Sequence, residues 1–444
     1  MIEDRTLSPL AERVASYTAQ LGAVPLFERF GMVVDVQGPV ARVQAPDFKV
    51  GDMCEFVLDD GTTRLGEVIG LQGALAMVTP LGTSKGIGHG TKVRRRGETL
   101  TFDFSPALLG HSISGLGTVI GEKPEAPDWS KLAMINPPPE PLARHLLAEP
   151  LSTGIKAIDA MTTLAKGQRI AVIGPPGVGK SALLAAIGQN CSADVVVIGL
   201  IGERGREISD FVARHLRDEM RSKMCVVAAP ADRPALERIY AANIATAIAE
   251  EFRDQGKSVL LILDSLTRVA RAMREVGLAA GEAPTRRGYP ASVFAKIPEL
   301  LERAGPGSQG SITAIYSVLA EGDAQNDPIV EETRSLVDGH IVLDPALFAE
   351  GRFPPINVSE SQSRVMKDIV HPDHFDLLID VRNILARYEQ IEMLVQIGEY
   401  RYGQNASTDR ILEVYPRLAR FLHQGDMRPW SMDETLQELR EILR

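Results

Sequence analysis

Residues 174–181 read Gly174-Pro175-Pro176-Gly177-Val178-Gly179-Lys180-Ser181, and a Gly-x-x-x-x-Gly-Lys-Ser spacing is suited to capturing a polyphosphate. Its glycines let the backbone curl until successive N–H groups point inward, and the helix expected from Ala182 onward adds the partial positive charge of its N-terminus. The cradle should run from Gly174 to Ala182, stiffened by Pro175 and Pro176. Lys180 would neutralise the β- and γ-phosphates, and Ser181 would offer its hydroxyl to Mg²⁺. The apolar run Ile170 to Ile173 before the loop and Ala182 to Ile187 after it supply the strand and helix that the motif needs.

A second metal ligand is expected at Asp264, which ends the apolar run Val259 to Leu263. A carboxylate at the C-terminal end of a buried parallel strand stands on the edge where open α/β sheets bind ligands. Capping the next helix is its alternative role, which Ser265 could fill equally well. Hydrolysis also needs a group that aligns or deprotonates water. Gly202-Glu203-Arg204-Gly205-Arg206-Glu207 leaves the end of the strand Val195 to Leu200, which would place Glu203 on the same rim as Lys180. From spacing alone, a solvated charged loop accounts for this segment equally well.

The elements that must hold these groups follow from the apolar pattern. Leu7, Leu10, Val14, Tyr17 and Leu21 form one helical stripe, which either docks on the chain's own body or receives a partner helix. Between Phe30 and Lys123, short apolar runs separated by turn signals such as Gln37-Gly38-Pro39 suggest a small β-barrel. Its basic run Lys92, Arg94, Arg95 and Arg96 reads better as a solvated loop than as a lipid or nucleic acid contact. Proline-rich residues 123–150 look like an extended connector. Strand candidates at Gln168 to Ile173, Asp194 to Leu200, Ser258 to Leu263, Ser311 to Leu319 and Gly339 to Leu343 alternate with helical patterns, which predicts a parallel sheet covered by helices. After Met366 the pattern is helical, and Ser431 with Glu434 could open the last helix as a capping box. The expected divisions are a helix at 1–25, a β-barrel at 26–122, a connector at 123–150, a P-loop domain at 151–365 and a helical domain at 366–444.

Composition narrows the function classes. A chain of 444 residues predicts about three domains. Its net charge of -10 and 5% aromatic content argue against nucleic acid as partner, since a long-range repulsive field and few stacking groups both oppose it. Three scattered cysteines, Cys54, Cys191 and Cys225, make neither a disulfide framework nor a zinc site. No apolar stretch approaches the ~18 residues of a membrane span, and Met1-Ile2-Glu3-Asp4 does not begin a signal peptide. A cytoplasmic protein is expected.

Longer segments carry a resemblance. Ser152-Thr153-Gly154-Ile155-Lys156-Ala157-Ile158-Asp159, the Glu203 segment and Leu263 to Arg268 are similar to the core of F-type and V-type rotary ATPases and type III protein-export ATPases. Gly288 to Pro298, Leu301 to Gly305, Glu321-Gly322-Asp323 and Val337 to Leu343 resemble the flagellar and injectisome export branch most. The resemblance implies an α/β fold with an N-terminal β-barrel, a central RecA-like P-loop ATPase domain with a mainly parallel sheet, and a C-terminal α-helical domain.

It further implies an ATP-hydrolysing homohexamer in which Glu203 is the catalytic carboxylate and Arg204 and Arg268 support the site. Arg364 would be the arginine finger that reaches the neighbouring subunit's γ-phosphate, and Phe353 the aromatic against adenine. Read without the resemblance, Arg364 is a surface cation and Phe353 a core residue. The implied partners are a central stalk protein, export chaperones and protein substrates, an export gate at the inner membrane, and a stator-like regulator at the Leu7 to Leu21 stripe. Two segments depart from the family pattern: Asn357 to Gln362 is more polar, and Asp323-Ala324-Gln325-Asn326 lacks the usual acidic pair. A rotary ATPase catalytic subunit, a non-hydrolytic binding subunit and a Rho-like RNA translocase are the rival readings.

Overall fold

The computed structural model describes Val14 and residues 30–45, 47–96, 100–126, 128–216, 220, 222–320, 326–425 and 428–444. Apart from Val14, the Leu7 to Leu21 stripe lies outside the described residues, as do Glu321 to Asp323. The chain forms two compact units, residues 1–98 and 99–444.

In the first unit, β1 (Phe30–Gln37), β2 (Val40–Gln44), β3 (Met53–Val57), β4 (Thr63–Gln72), β5 (Leu75–Pro80) and β6 (Lys92–Arg95) close into a barrel in the order β1-β2-β5-β4-β3-β6. Alternation fills it, with Val33, Val43, Phe56, Val68, Val78 and Val93 pointing inward. Gly38, at φ 57°, supplies the left-handed turn between β1 and β2. The basic run is a strand rather than the expected loop. Arg95 grips Asp52 at 2.6 and 3.0 Å, Arg96 pairs with Glu55, and Lys92 and Arg94 lie over the Phe30 ring. Much of its charge is thus spent on the barrel's own side chains.

The second unit begins with β7 (Thr101–Phe104), β8 (Ser112–Ser114), β9 (Val119–Ile120) and β10 (Ser130–Ala133). β7 pairs with β10, while β8 hydrogen-bonds alongside the central sheet. The barrel strands therefore end at Arg95, well short of residue 122. After a two-stranded ribbon of β11 (Pro150–Leu151) and β12 (Leu164–Ala165) come β13 (Arg169–Gly174), β14 (Val195–Ile201), β15 (Met224–Ala229), β16 (Ser258–Asp264), β17 (Gly305–Pro306), β18 (Ser311–Leu319), β19 (Gly339–Leu343) and β20 (Ile356–Ser363). The sheet order is β20-β19-β13-β18-β16-β14-β15-β8-β9, with β17 flanking β18. From β19 to β8 all neighbours are parallel, so the C-terminal ends of β13, β18, β16 and β14 share one rim. The five expected strands are present, joined by β15 and by the polar β20. Because the strands are covered on both faces, Val195–Ile201 is buried throughout.

Helices at Pro372–Gln396, Ala406–Leu422 and Met432–Leu443 complete the unit. The capping box forms as expected, Ser431 and Glu434 exchanging side-chain and backbone bonds, and the last helix buries Leu439 and Ile442 on one face. These helices are tied to the Ser152–Asp159 segment. Lys156 Nζ sits 3.1 Å from Glu438 and over the Trp430 ring, and Gln424 accepts from Lys156 N and donates to Gly154 O.

Asp159 organises that segment from within. Its buried carboxylate accepts from Thr153 N (2.8 Å), Thr153 Oγ1 (2.7 Å), Ser152 Oγ and Gly154 N (both 3.0 Å), although burial still pushes its pKa up to about 6. Asp159→Asn would turn an amide donor toward these donors. We expect a loss of about 1–3 kcal/mol in the chemical denaturation of the second unit, and an unchanged midpoint would contradict this role for the carboxylate.

Candidate active site

The glycine-rich loop leaves β13 and enters the Lys180–Asn190 helix. Gly177 and Gly179, at φ 85° and 78°, take left-handed conformations that only glycine adopts cheaply. Lys180 is buried, its Nζ donating to Gly174 O at 3.0 Å and Val318 O at 2.8 Å. The ends of β13 and β18 thus fix the ammonium at the rim. Burial pulls its pKa down to about 8, against the pull of Asp264 and Glu203. A bound polyanion would restore its charge.

Asp264 ends β16 and accepts the Ser181 hydroxyl at 3.1 Å. It is turned toward the loop, and Ser265 occupies the N-cap position of the Leu266–Ala279 helix, so the capping alternative does not hold. A hydroxyl and a carboxylate side by side are hard oxygen donors, and two of them suit Mg²⁺, which keeps most of its shell for water and phosphate oxygens. No larger cluster of His, Cys, Asp or Glu able to hold a metal occurs among the described residues.

Glu203 follows β14 and lines the same cavity of about 540 Å³ as Pro175, Gly179, Lys180, Ser181, Asp264 and Arg268. Arg268 Nη2 donates to Glu203 Oε2 at 3.2 Å, and its Nε stands 3.0 Å from Oε1 as an ion-pair contact, so the guanidinium clamps the carboxylate through one charge-assisted hydrogen bond and a second close charge contact. The same guanidinium donates to Gly202 O. Gly202 must be glycine: its φ is 70°, and a Cβ would meet Arg268 Cδ at 2.8 Å. Burial, then the negative Asp264, push the Glu203 pKa up to about 7, while Arg268 holds it down and Glu207 adds to the rise. An acid titrating there is poised to exchange a proton with water at neutral pH.

The remaining expected residues divide. Arg204 reaches the cavity rim, exposed and 3.6 Å from Glu207. Phe353 stands outside the cavity lining, its ring packed edge-on against Phe348 at 5.3 Å. Phe348 in turn approaches Gly179, where an added Cβ would be 3.7 Å from Cε2. Glu207, Leu319 and Phe348 are site neighbours that sequence reading missed. Glu207 was findable, in the first turn of the helix that follows Glu203; Leu319 and Phe348 reach the loop only through the sheet order.

Arg364 is not gathered with the others. It follows Ser363, which pairs with Gly339 at the start of β19, so it lies at the opposite edge of the sheet from Lys180. About 17 Å of strand β13 separates the two edges. Its Nη2 rests on Arg334 O at 3.2 Å. The polar run before it serves a bulge in β20, where the register slips between His340 and Val342. Asn357 Oδ1 accepts from Ser359 N and Glu360 N, and Ser361 Oγ accepts from Val342 N and donates to Asn357 O, replacing the ladder bonds that the bulge removes.

A glycine-rich loop and lysine at the head of a central parallel strand, a metal-type carboxylate two strands away and a clamped acid beyond it define a P-loop nucleotide-hydrolysing site. Comparisons make the class specific. Residues 31–97 match the beta-barrel domain of the ATP synthase alpha/beta family, 154–363 its nucleotide-binding domain, and 370–441 the T3SS EscN ATPase C-terminal domain. The type 3 secretion system ATPase of Xanthomonas euvesicatoria is 42% identical over 98% of both chains. The flagellum-specific ATP synthase of Bacillus subtilis is 40% identical over 94% of this chain and 95% of its own. The assembled ATPase EscN of the enteropathogenic E. coli type III secretion system superposes with a TM-score of 0.89 at 40% identity, covering 93% of this chain and 100% of that one. EscN in complex with its central stalk EscO gives 0.84 at 39% identity, with the same coverage. The chain belongs to the type III secretion and flagellar export ATPases, within the ATP synthase alpha/beta family. It is an ATPase, and its substrate is a nucleotide. The C-terminal match, over residues 370–441, is to a domain of the type III secretion ATPases.

Proposed function

We propose that this chain is the motor of a bacterial type III export apparatus, flagellar or injectisome, and works as a homohexamer with ATP sites shared between neighbouring subunits. The position of Arg364 carries the reading: it stands at the sheet edge remote from its own Lys180, which favours service to another subunit's site over its own. The assembled state of EscN supports the same arrangement.

Lys180 and the loop N–H groups hold the β- and γ-phosphates. Glu203, oriented by Arg268, takes the proton of the attacking water, and Arg204 and the neighbour's Arg364 bear on the γ-phosphate charge. Ser181 and Asp264 would hold Mg²⁺. When bound, that ion would supply positive charge against the phosphate oxygens. Phe353 flanks the base by way of Phe348.

Hydrolysis would drive chaperone release, substrate unfolding and delivery to an export gate at the inner membrane. A central stalk would run through the ring, as the EscN–EscO complex suggests, and a stator-like regulator would take the Leu7 to Leu21 stripe. No helix among the described residues is long and apolar enough to cross a membrane, so attachment to the membrane would be through these partners.

The test is complementation of a bacterium deleted for its own export ATPase. The wild-type chain should restore secretion, whereas Lys180→Ala should not, with ATP affinity weakened by about 10- to 100-fold through loss of charge-assisted bonds to phosphate. Secretion at the wild-type level by Lys180→Ala would sink the reading.

A further inference from the structure

Gln168 is a fully buried amide just before β13, and its side chain spans two distant segments. Oε1 accepts from Ala165 N at 2.8 Å, closing the turn into the strand. Nε2 donates to Ser363 Oγ at 3.0 Å and to Asp338 O at 3.4 Å. Ser363 immediately precedes Arg364. Asp338 completes the clasp: its carboxylate accepts from Arg169 N at 2.9 Å, its own N–H donates to Arg169 O at 2.8 Å, and its carbonyl accepts from Arg364 N at 2.9 Å. Gly339 lets β20 close down, since a Cβ there would meet Gln362 O at 2.4 Å.

We infer that Gln168 is the positioning residue for Arg364, fixing the root of the guanidinium that one subunit lends to the next. The inference rests on the shared-site reading above. A fully enclosed amide costs stability unless each polar atom is partnered, and here one partner, Ser363 Oγ, lies on the finger's own segment. The clasp also joins two functions along one element. Gln168 abuts one end of β13, and the other end is Gly174, where the nucleotide loop begins. A subunit's own phosphate loop and the segment of the cation it presents to its neighbour are therefore tied to the two ends of a single strand, β13. The path from one site to the next is short and covalent along β13, with hydrogen bonds only at the Gln168 end.

Ser363→Ala and Gln168→Met in the assembled hexamer test this. Both should lower kcat on the order of tenfold through a displaced Arg364, with KM for ATP changed less than about twofold and the hexamer intact. Should Gln168→Met fail to fold, Ser363→Ala removes the same bond at a half-buried position. In an Arg364→Ala background neither change should lower the single-turnover rate further, because a side chain already absent cannot be misplaced. A further drop by the same factor in that background, or a wild-type kcat for Ser363→Ala, would overturn the inference alone. Wild-type turnover by Arg364→Ala itself would overturn the shared-site reading and this inference with it.

Discussion

Glu203→Gln is expected to leave ATP bound at near wild-type affinity while turnover falls by about 10²- to 10⁴-fold, the range that positioned general bases contribute. The amide keeps the size of the side chain and an acceptor for Arg268, but it cannot take a proton from water. The same residue sets a pH dependence. With its pKa pushed up to about 7 by burial and by Asp264, the carboxylate is largely protonated at pH 6 and cannot act as base. Wild-type kcat/KM should therefore rise with pH through about 7 and level off above it. In the free enzyme Lys180, at about 8, loses its charge as pH rises further and holds phosphate less well, so kcat/KM should fall again on the alkaline side. Steady-state kinetics between pH 5.5 and 9 on both forms decide the matter. A rising limb that survives in Glu203→Gln would assign the titration, and the base, to another group.

What could be read from the chain alone depends on whether the information is contiguous. The cradle is one uninterrupted segment between an apolar strand and a helix, so Gly174 to Ser181 is legible in both structure and chemistry. Asp264 is legible because a carboxylate that closes a run of five apolar strand residues has few roles besides binding at the sheet edge. The Glu203–Arg268 clamp is not, since the two residues meet only because β14 and β16 are neighbours. Ser112–Ser114 joins the sheet with a single apolar residue, Ile113, too weak a pattern to distinguish from the barrel strands before it. The β20 segment shows only its polarity in the sequence, because Asn357 and Ser361 replace ladder hydrogen bonds at a bulge, a role that hydropathy cannot register. Gln168 is a harder case: between Lys166 and Arg169 it reads as one more polar residue at a strand entry and gives no sign of a partner some 195 residues away.

Arg364→Ala should produce the largest loss, about 10³- to 10⁵-fold in turnover, the usual worth of an arginine finger supplied from a neighbour, with ATP still bound and the hexamer intact. The size of the effect cannot by itself say which subunit the arginine serves, but mixing can. A Lys180→Ala subunit has a damaged phosphate loop and an intact Arg364; an Arg364→Ala subunit has the reverse. If the site is shared, hexamers mixed at equal ratio by random exchange contain whole interfaces at about a quarter of positions, and activity should rise well above that of either parent. If Arg364 worked within its own chain, every site in the mixture would carry one defect and no activity would return. The sheet makes the first outcome the expected one. β13 would have to fold back on itself for Arg364 to approach its own Lys180, and both ends of that strand are pinned, one by Lys180 on Gly174 O and the other by Asp338 on Arg169 N.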